Sequence, residues 1–465
     1  MVKSYFVDRR LPLCYVFPKG GSVVDFTGAY SRTAFARFLL PLMAAELFQQ
    51  IYGLINTAVV SWALDDTALA VMGACSGLLD VRGKVLAGMF YGFGISLGRA
   101  VGSGAPGRLP AAFSAALRYT LALSALGVLA ALGVNGLMVL GNIPPQLRPA
   151  AAPYLMLSFA GAGAVAAKLL LVVLLQAVGD TGYFSALAVL GTLVNTALVV
   201  LFIGVLHGGV ACAALATVLT NGLLALLLLG HLRRKWPNLL QTAPGREIPG
   251  ATWWNLMENG GAKTIYFFLG ALGTLVLQRG INTLAPQLIA AQALALSLQS
   301  LLIAPQGELG TASAVITGQN VGAGNRRNIL AYHRRLVRLF VALGGGMVVL
   351  IWLAGQPLVQ LVAGPDKSPA VTGPALDWLR ITVLIFPFSF AILYRNALQA
   401  LEQYGGVVLL GILEVVCSAV CAWVLIPQLG FFGGALGVVL SWGASALLGC
   451  VLFRRAMKGG GACAD

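Results

Sequence analysis

The sequence predicts an all-α polytopic membrane protein with about twelve transmembrane helices in two pseudo-symmetric six-helix bundles. Three observations predict it: the composition, the long apolar segments and an internal repeat. Of the 465 residues, 58% are hydrophobic and 10% are charged, whereas soluble domains carry about 25% charged residues. About twelve apolar segments are near 20 residues or longer, enough to cross a hydrocarbon core of about 30 Å as helices. Helices are expected because backbone groups in lipid must be satisfied within the segment.

A glycine motif identifies the repeat. Gly98–Gly104 returns as Gly318–Gly324, 220 positions later, and each copy closes a long apolar run. Because six helices is an even number, the second copy keeps the orientation of the first, so the bundles are related by an axis along the membrane normal. Repeated halves with sites between them are typical of secondary transporters. The glycines assigned a structural role are Gly98, Gly102, Gly104, Gly179, Gly318, Gly322 and Gly324.

A polar segment rich in proline and glycine divides the chain into two lobes. The predicted units are a cytoplasmic N-terminal tail (1–33), an N-terminal lobe (34–235), a cytoplasmic linker (236–250), a C-terminal lobe (251–457) and a cytoplasmic C-terminal tail (458–465).

The net charge of +15 is explained by topology rather than by nucleic-acid binding. Of the 30 Lys and Arg residues, 23 fall on the side of the N-terminus, including Arg395, and four fall on the other side. Positive charge accumulates in cytoplasmic loops, which predicts that both termini are cytoplasmic. We expect a bacterial-type cytoplasmic (inner or plasma) membrane location, no nucleic-acid partner and no obligate protein partner.

The sequence has no pattern typical of an enzyme. It lacks zinc spacing, HExxH and GK[ST], so the glycine motif is not a phosphate loop. The three histidines have no partner set, which argues against an integral membrane enzyme. We expect no cofactor, with H⁺ or Na⁺ as the coupling ion, and membrane lipid and a small organic substrate as partners.

The order of several motifs resembles the multidrug and toxic compound extrusion (MATE) family of drug/cation antiporters, over about residues 34–455. These motifs are Pro41, Tyr52, Thr67–Ala70, Gln176–Thr181 with Asp180, Asn195, Gly209–Thr217 and Gly318–Asn325. The resemblance implies an efflux carrier of two six-helix lobes, driven by inward flow of H⁺ or Na⁺. Asn56 occupies the position where family members often carry a first-helix aspartate. The coupling group therefore has to be sought elsewhere.

Acidic residues within apolar segments are the candidates for ion coupling, because ionisable groups are costly in lipid. Glu46 shares one helical face with Gln49 and Asn56, which predicts a cavity-lining stripe or a buried hydrogen-bonded cluster. Glu308 lies on a small, polar face with Ser300 and Thr311.

The repeat position of Glu308 is Gly88, so the scaffold itself does not require an acid there. We therefore rank Glu308 first for coupling, against the alternative of an internal salt bridge or hydrogen bond. Asp80 and Lys84 are four residues apart and can form an ion pair on one face of the helix. For Glu414, the sequence supports a functional role and a structural role equally. The full set of coupling candidates is Glu308, Glu46, Glu414 and Asp80, and the substrate-cavity candidates are Gln49, Asn56, Asn195, Ser300 and Thr311.

The predicted function is export of lipophilic, cationic organic compounds by alternating access of the two lobes. A lipid-linked saccharide flippase of the same plan is the first alternative. Its cavity would be more cationic, and Arg82, Lys84 and Lys168 keep that alternative open.

Overall fold

The structure is a computed structural model that describes residue 26 and residues 32–102, 108–177, 181–235, 237, 250–365, 367–401 and 403–459. The N-terminal lobe consists of α1 (Arg32–Ala63), α2 (Asp66–Gly102), α3 (Arg108–Leu132), α4 (Val134–Leu140), α5 (Arg148–Ala160), α6 (Ala162–Ala177), α7 (Thr181–Val199) and α8 (Ala211–Lys235). Helix α4 continues α3 and α6 continues α5, with breaks at Gly133 and Gly161. The eight helices therefore form six passes.

The C-terminal lobe repeats this plan with α9 (Gly250–Ile281), α10 (Pro286–Gly322), α11 (Arg326–Ala363), α12 (Pro369–Val383), α13 (Ala391–Ala400), α14 (Tyr404–Val420), α15 (Ile426–Leu429) and α16 (Phe431–Gly459). The described residues contain no strand. The all-helical prediction is confirmed.

The duplication is visible in the helix bounds. Helices α2 and α10 are each 37 residues long, and their first and last residues differ by the same 220 positions as the glycine motif. Helices α1 and α9 are each 32 residues long. Even the irregular segments recur, because π-helical turns follow α7 at Val200–Val205 and α14 at Cys421–Leu425.

Nine helical segments of the described residues are long and apolar enough to cross a membrane. The three other passes are α1, α2 and α9. Helix α2 carries Asp80, Arg82 and Lys84 in its middle, and the apolar part of α9 is the shorter segment Phe267–Ile281.

The two lobes are joined at one end, where α1 meets α2 and α9 meets α10. We call this the outer end, since the charge distribution predicts that it is extracellular. Ser61 Oγ donates to the Ala363 carbonyl over 2.8 Å, and Trp62 Nε1 donates to Val362 over 3.1 Å. Asn282 Nδ2 donates to the Ala74 carbonyl over 2.9 Å. These bonds and a shared apolar core hold the outer halves of the lobes together.

Below the outer end, α1 crosses to the other lobe. Phe35 and Leu39 are buried against α10 and α11, in a cluster that includes Leu309 and Phe340. The first half of α1 thus packs on the C-terminal lobe. This crossing brings the middle of α1 against the cavity described next.

Candidate functional site

A cavity of about 350 Å³ lies between α1 and the C-terminal lobe. Its wall combines three carboxylates and one guanidinium with apolar and small side chains. The lining residues are Glu46, Gln50, Ser300, Ile303, Ala304, Gly307, Glu308, Phe340, Ser389, Ala391, Ile392, Arg395, Glu414 and Trp442. We call it the central cavity. Three of the four acids predicted for ion coupling meet here.

Helix α1 supplies Glu46 and Gln50, which lie one turn apart on the same face. Gln50 Nε2 donates to Glu46 Oε1 over 2.7 Å. The stripe predicted from the sequence therefore faces the cavity at Glu46, and its amide partner there is Gln50, a residue the sequence analysis missed. The side chains of Gln49 and Asn56 lie outside the described residues, so their predicted role stays a prediction.

Helix α10 supplies Glu308 on the opposite wall. Its carboxyl is close enough to Glu46 for the two to interact electrostatically, and the Thr311 side chain lies within hydrogen-bonding reach of it. Ser300, two turns earlier, also lines the cavity. The small, polar face predicted around Glu308 thus borders the cavity. Because like charges repel at short range, a proton or a cation bound between the two carboxyls would be stabilised.

Glu414 has a partner of opposite charge. Arg395 Nη2 on α13 forms an ion pair with Glu414 Oε1 on α14, and both side chains are largely buried. Sequence reasoning had counted Arg395 among the cytoplasmic cations, although its position within an apolar helix was a signal for a buried pair. The pair neutralises one of the three acids of the cavity.

A second cavity, of about 180 Å³, lies deeper in the C-terminal lobe. It shares Glu414 and Trp442 with the central cavity. Its wall holds the buried amides of Gln278, Gln292 and Gln299. Polar side chains therefore continue from the Arg395–Glu414 pair into the lobe.

Asp80 and Asn195 lie away from the central cavity. Lys84 Nζ approaches Asp80 Oδ2 to 3.1 Å, and this pair sits against α9 beside Gly270. Asn195 is buried, and its Nδ2 donates to Thr220 Oγ1 over 3.2 Å. Neither residue lines the central cavity, so their coupling and substrate roles stay predictions.

The second glycine motif holds an N-terminal residue in place. Phe26 is buried; its backbone N–H donates to Gln319 Oε1 over 2.8 Å, and its carbonyl accepts from Asn320 Nδ2 over 3.1 Å. Gly324 has a φ of +69°, which glycine adopts without strain, and it lets the chain turn into α11. Gly98, Gly102, Gly318 and Gly322 lie near the ends of α2 and α10, whereas Gly104, Gly179 and Asp180 lie outside the described residues.

A duplicated, all-helical membrane protein with carboxylates around a cavity between α1 and the C-terminal lobe has the architecture of a membrane transporter. The MatE family model matches residues 41–201 and 264–424, one stretch in each lobe. The chain therefore belongs to the MatE family. Since this is a family of transporters, an integral membrane enzyme is excluded.

Curated and solved proteins agree with this family. "Probable multidrug resistance protein YpnP" of Bacillus subtilis (strain 168) is 24% identical over 254 residues, which are 54% of this chain and 56% of that protein. The chain thus spans little more than half of that relative. An inward-facing multidrug resistance MATE family transporter of the MOP superfamily is 17% identical, with a TM-score of 0.78 over 90% of this chain and 96% of that chain. An outward-facing one is 20% identical, with a TM-score of 0.68 over 95% and 99%.

Proposed function

We propose that this transporter exports lipophilic, cationic organic compounds in exchange for protons, by alternating access of its two lobes. The observation that carries the proposal is the pair of acids Glu46 and Glu308. They line one cavity from helices of different lobes, and among the described residues neither forms an ion pair. Two carboxylates without a cation of the protein favour a positively charged ligand.

The size and surface of the central cavity support a small organic ligand. Its volume of about 350 Å³ falls within the range of about 300–1,000 Å³ that is usual for small-molecule sites. Ile303, Phe340 and Trp442 supply apolar and aromatic surface. Aromatic faces attract cations as well as apolar groups, which suits a lipophilic cation.

Coupling follows from competition for the same acids. Glu308 takes up a proton when it faces the outside and releases it when it faces the cytoplasm. A cationic substrate binds best when the carboxyls are charged, so protonation expels it. Glu46, hydrogen-bonded to Gln50, has the larger part in substrate binding, and Glu308 has the larger part in coupling.

Alternating access requires the outer end to separate. In this structure the bonds of Ser61, Trp62 and Asn282 hold that end closed. Export then requires these bonds to break while the substrate is in the central cavity. This closure agrees with the structural likeness to the inward-facing transporter.

The substrate class is tested with purified protein in proteoliposomes that are given a pH gradient. Monovalent lipophilic cations such as ethidium should be transported, and anionic dyes of similar size should not. Transport of the anionic dyes alone would contradict the proposal.

The orientation in a cytoplasmic membrane is tested by labelling single cysteines in a cysteine-free background. Thr67→Cys at the outer end should react with an impermeant maleimide added to intact cells, and Arg327→Cys at the opposite end should not. Both positions are exposed. The reverse pattern would invert the proposed topology.

A lipid-linked saccharide flippase is the second candidate, and Arg82 favours it because a buried cation suits a pyrophosphate. Lys84, however, is neutralised by Asp80, and the central cavity has more acids than cations. Movement of a lipid pyrophosphate across the bilayer without cation efflux would establish the flippase instead.

A further inference from the structure

Arg82 places a positive charge in the interior of the N-terminal lobe, apart from the central cavity. It lies 16 positions after Asp66 in the 37-residue helix α2. One guanidinium nitrogen, Nη1, donates to the Ser158 carbonyl at the end of α5. The guanidinium carbon lies 5.9 Å from the centre of the Phe159 ring. The buried Nε has no hydrogen-bond acceptor among the described residues.

No carboxylate of the described residues neutralises this charge. Asp80 is only two positions away in the sequence, but residues two apart point to nearly opposite sides of a helix. Asp80 pairs with Lys84 on the side of α9. A charged side chain inside a membrane protein pairs with an opposite charge or with backbone carbonyls. Arg82 has one such carbonyl, that of Ser158, and no opposite charge among the described residues, so its guanidinium is suited to an anion that is not part of the protein.

Arg82 lines a cavity of about 140 Å³ whose wall is formed by residues of α1, α2 and α5 to α8. Tyr154, Ser158 and Thr217 are its lining residues with a side-chain hydroxyl, and apart from Arg82 the other lining residues are apolar. A water molecule occupies about 30 Å³ and a drug-sized ligand needs about 300 Å³ or more. The cavity therefore fits a small anion with a few waters, and it excludes an organic substrate.

We propose that this cavity binds one small inorganic anion of about the size of chloride. Arg82, which lines the cavity, is the residue that binds it, through N–H groups of its guanidinium. In this proposal the hydroxyls of Tyr154 and Ser158, two further lining residues, donate the remaining hydrogen bonds. None of these residues lines the central cavity, so the anion site and the proposed cation site are separate.

The test is equilibrium binding of ³⁶Cl⁻ to the purified full-length protein in a gluconate buffer. We expect saturable binding of about one chloride per chain, displaced by bromide. Arg82→Met should abolish it, and Arg82→Lys, which keeps the charge but loses the fork of donors, should weaken it at least tenfold. Lys168→Met removes another membrane-embedded cation of the same lobe and should bind as the parent does.

Two further arms keep the result interpretable. Ala213→Leu fills the cavity without changing a charge and should also abolish binding, which decides the matter if Arg82→Met does not fold. Inorganic phosphate is added as a competitor. No saturable chloride binding by the parent, parental binding by folded Arg82→Met or Ala213→Leu, or binding of phosphate but not chloride would overturn the proposal. The first of these outcomes would leave Arg82 as a structural link between α2 and α5.

Discussion

Lys367 Nζ lies 3.3 Å from Asp66 Oδ1 and ties the segment before α12 to the first residue of α2. The same ammonium group donates to the carbonyls of Ser61 and Leu64, over 3.0 and 3.3 Å. The Lys367 side chain is only 4% exposed. One lysine of the C-terminal lobe thus interacts with three acceptors of the N-terminal lobe at the outer end. These interactions must break when the outer end opens.

Lys367→Met should therefore shift the protein towards the outward-open state. Hydrogen bonds to a charged group contribute about 1.5–3 kcal/mol, so a shift of about tenfold or more in the ratio of the two states is expected. Nitroxide labels at Thr67 and Ala370, both exposed, should report a longer distance by electron paramagnetic resonance. Arg327→Met, at the opposite end, should leave the distance unchanged. An unchanged distance in Lys367→Met would mean that the lysine does not hold the outer end closed.

Close backbone contact between α2 and α10 gives the second prediction. A Cβ atom on Gly73 would lie 2.8 Å from the Ile289 carbonyl oxygen, whereas one on Gly83 would meet nothing within 4 Å. Gly73→Val should therefore separate the outer halves of the lobes and destabilise this conformation by about 1–3 kcal/mol. Gly83→Val is the matched control in the same helix. Thermal unfolding in detergent and the same label pair measure the effect, and equal behaviour of the two variants would contradict it.

Arg395 and Glu414 should be energetically coupled. Arg395→Met leaves Glu414 as an unpaired, largely buried acid in the same cavity as Glu308, so this variant should be less stable than the parent and than Glu414→Gln. Glu414→Gln together with Arg395→Met should recover part of the loss, with a coupling energy of about 1–3 kcal/mol. The thermal unfolding of both single variants and the double variant measures it. Strict additivity would show that the ion pair contributes nothing.

The contact of Phe26 with the second glycine motif gives the fourth prediction. Asn320→Ala removes the bond to the Phe26 carbonyl and a second bond, to Asn328. Among the described residues, the Phe26 carbonyl then keeps only the Asn328 side chain as a donor. Because the segment is held less firmly, the Phe26 amide, which donates to Gln319, should exchange its hydrogen faster than in the parent. Gly318→Ala, two residues earlier and with open space at its Cβ position, should exchange as the parent does. Unchanged exchange in Asn320→Ala would show that the motif does not hold this segment.

The sequence predicted the fold because its signals are local and repeated. Hydrophobic runs mark the passes, and the offset of 220 positions is reproduced by the bounds of α2 and α10. The site was predicted only in part. Glu46 and Glu308 could each be placed on a polar face, but their meeting depends on how α1 crosses to the other lobe, which no local pattern encodes.

The residues that the sequence analysis missed owe their position to long-range contacts. In the sequence alone, Arg395 was assigned to the cytoplasmic side; only the packing of α13 against α14 shows its ion pair with Glu414. In the sequence alone, Lys367 is an ordinary loop cation; only the position of α2 beside the segment before α12 shows its ion pair with Asp66. Gln50 was missed because Gln49 lies closer to the centre of the predicted stripe, and one helix position decides which amide reaches Glu46.

The central claim is that Glu308 couples proton entry to export, and efflux driven by a pH gradient in proteoliposomes tests it most directly. The parent should transport ethidium under a pH gradient. Glu308→Gln should lose at least nine tenths of this transport while it still binds ethidium. The amide keeps the shape of the side chain but cannot take up and release a proton. Glu46→Gln should weaken ethidium binding more than coupling, and Glu258→Gln, at an exposed position of α9, should match the parent. Transport by Glu308→Gln at the parental rate, or a parent driven by a sodium gradient alone, would contradict the account.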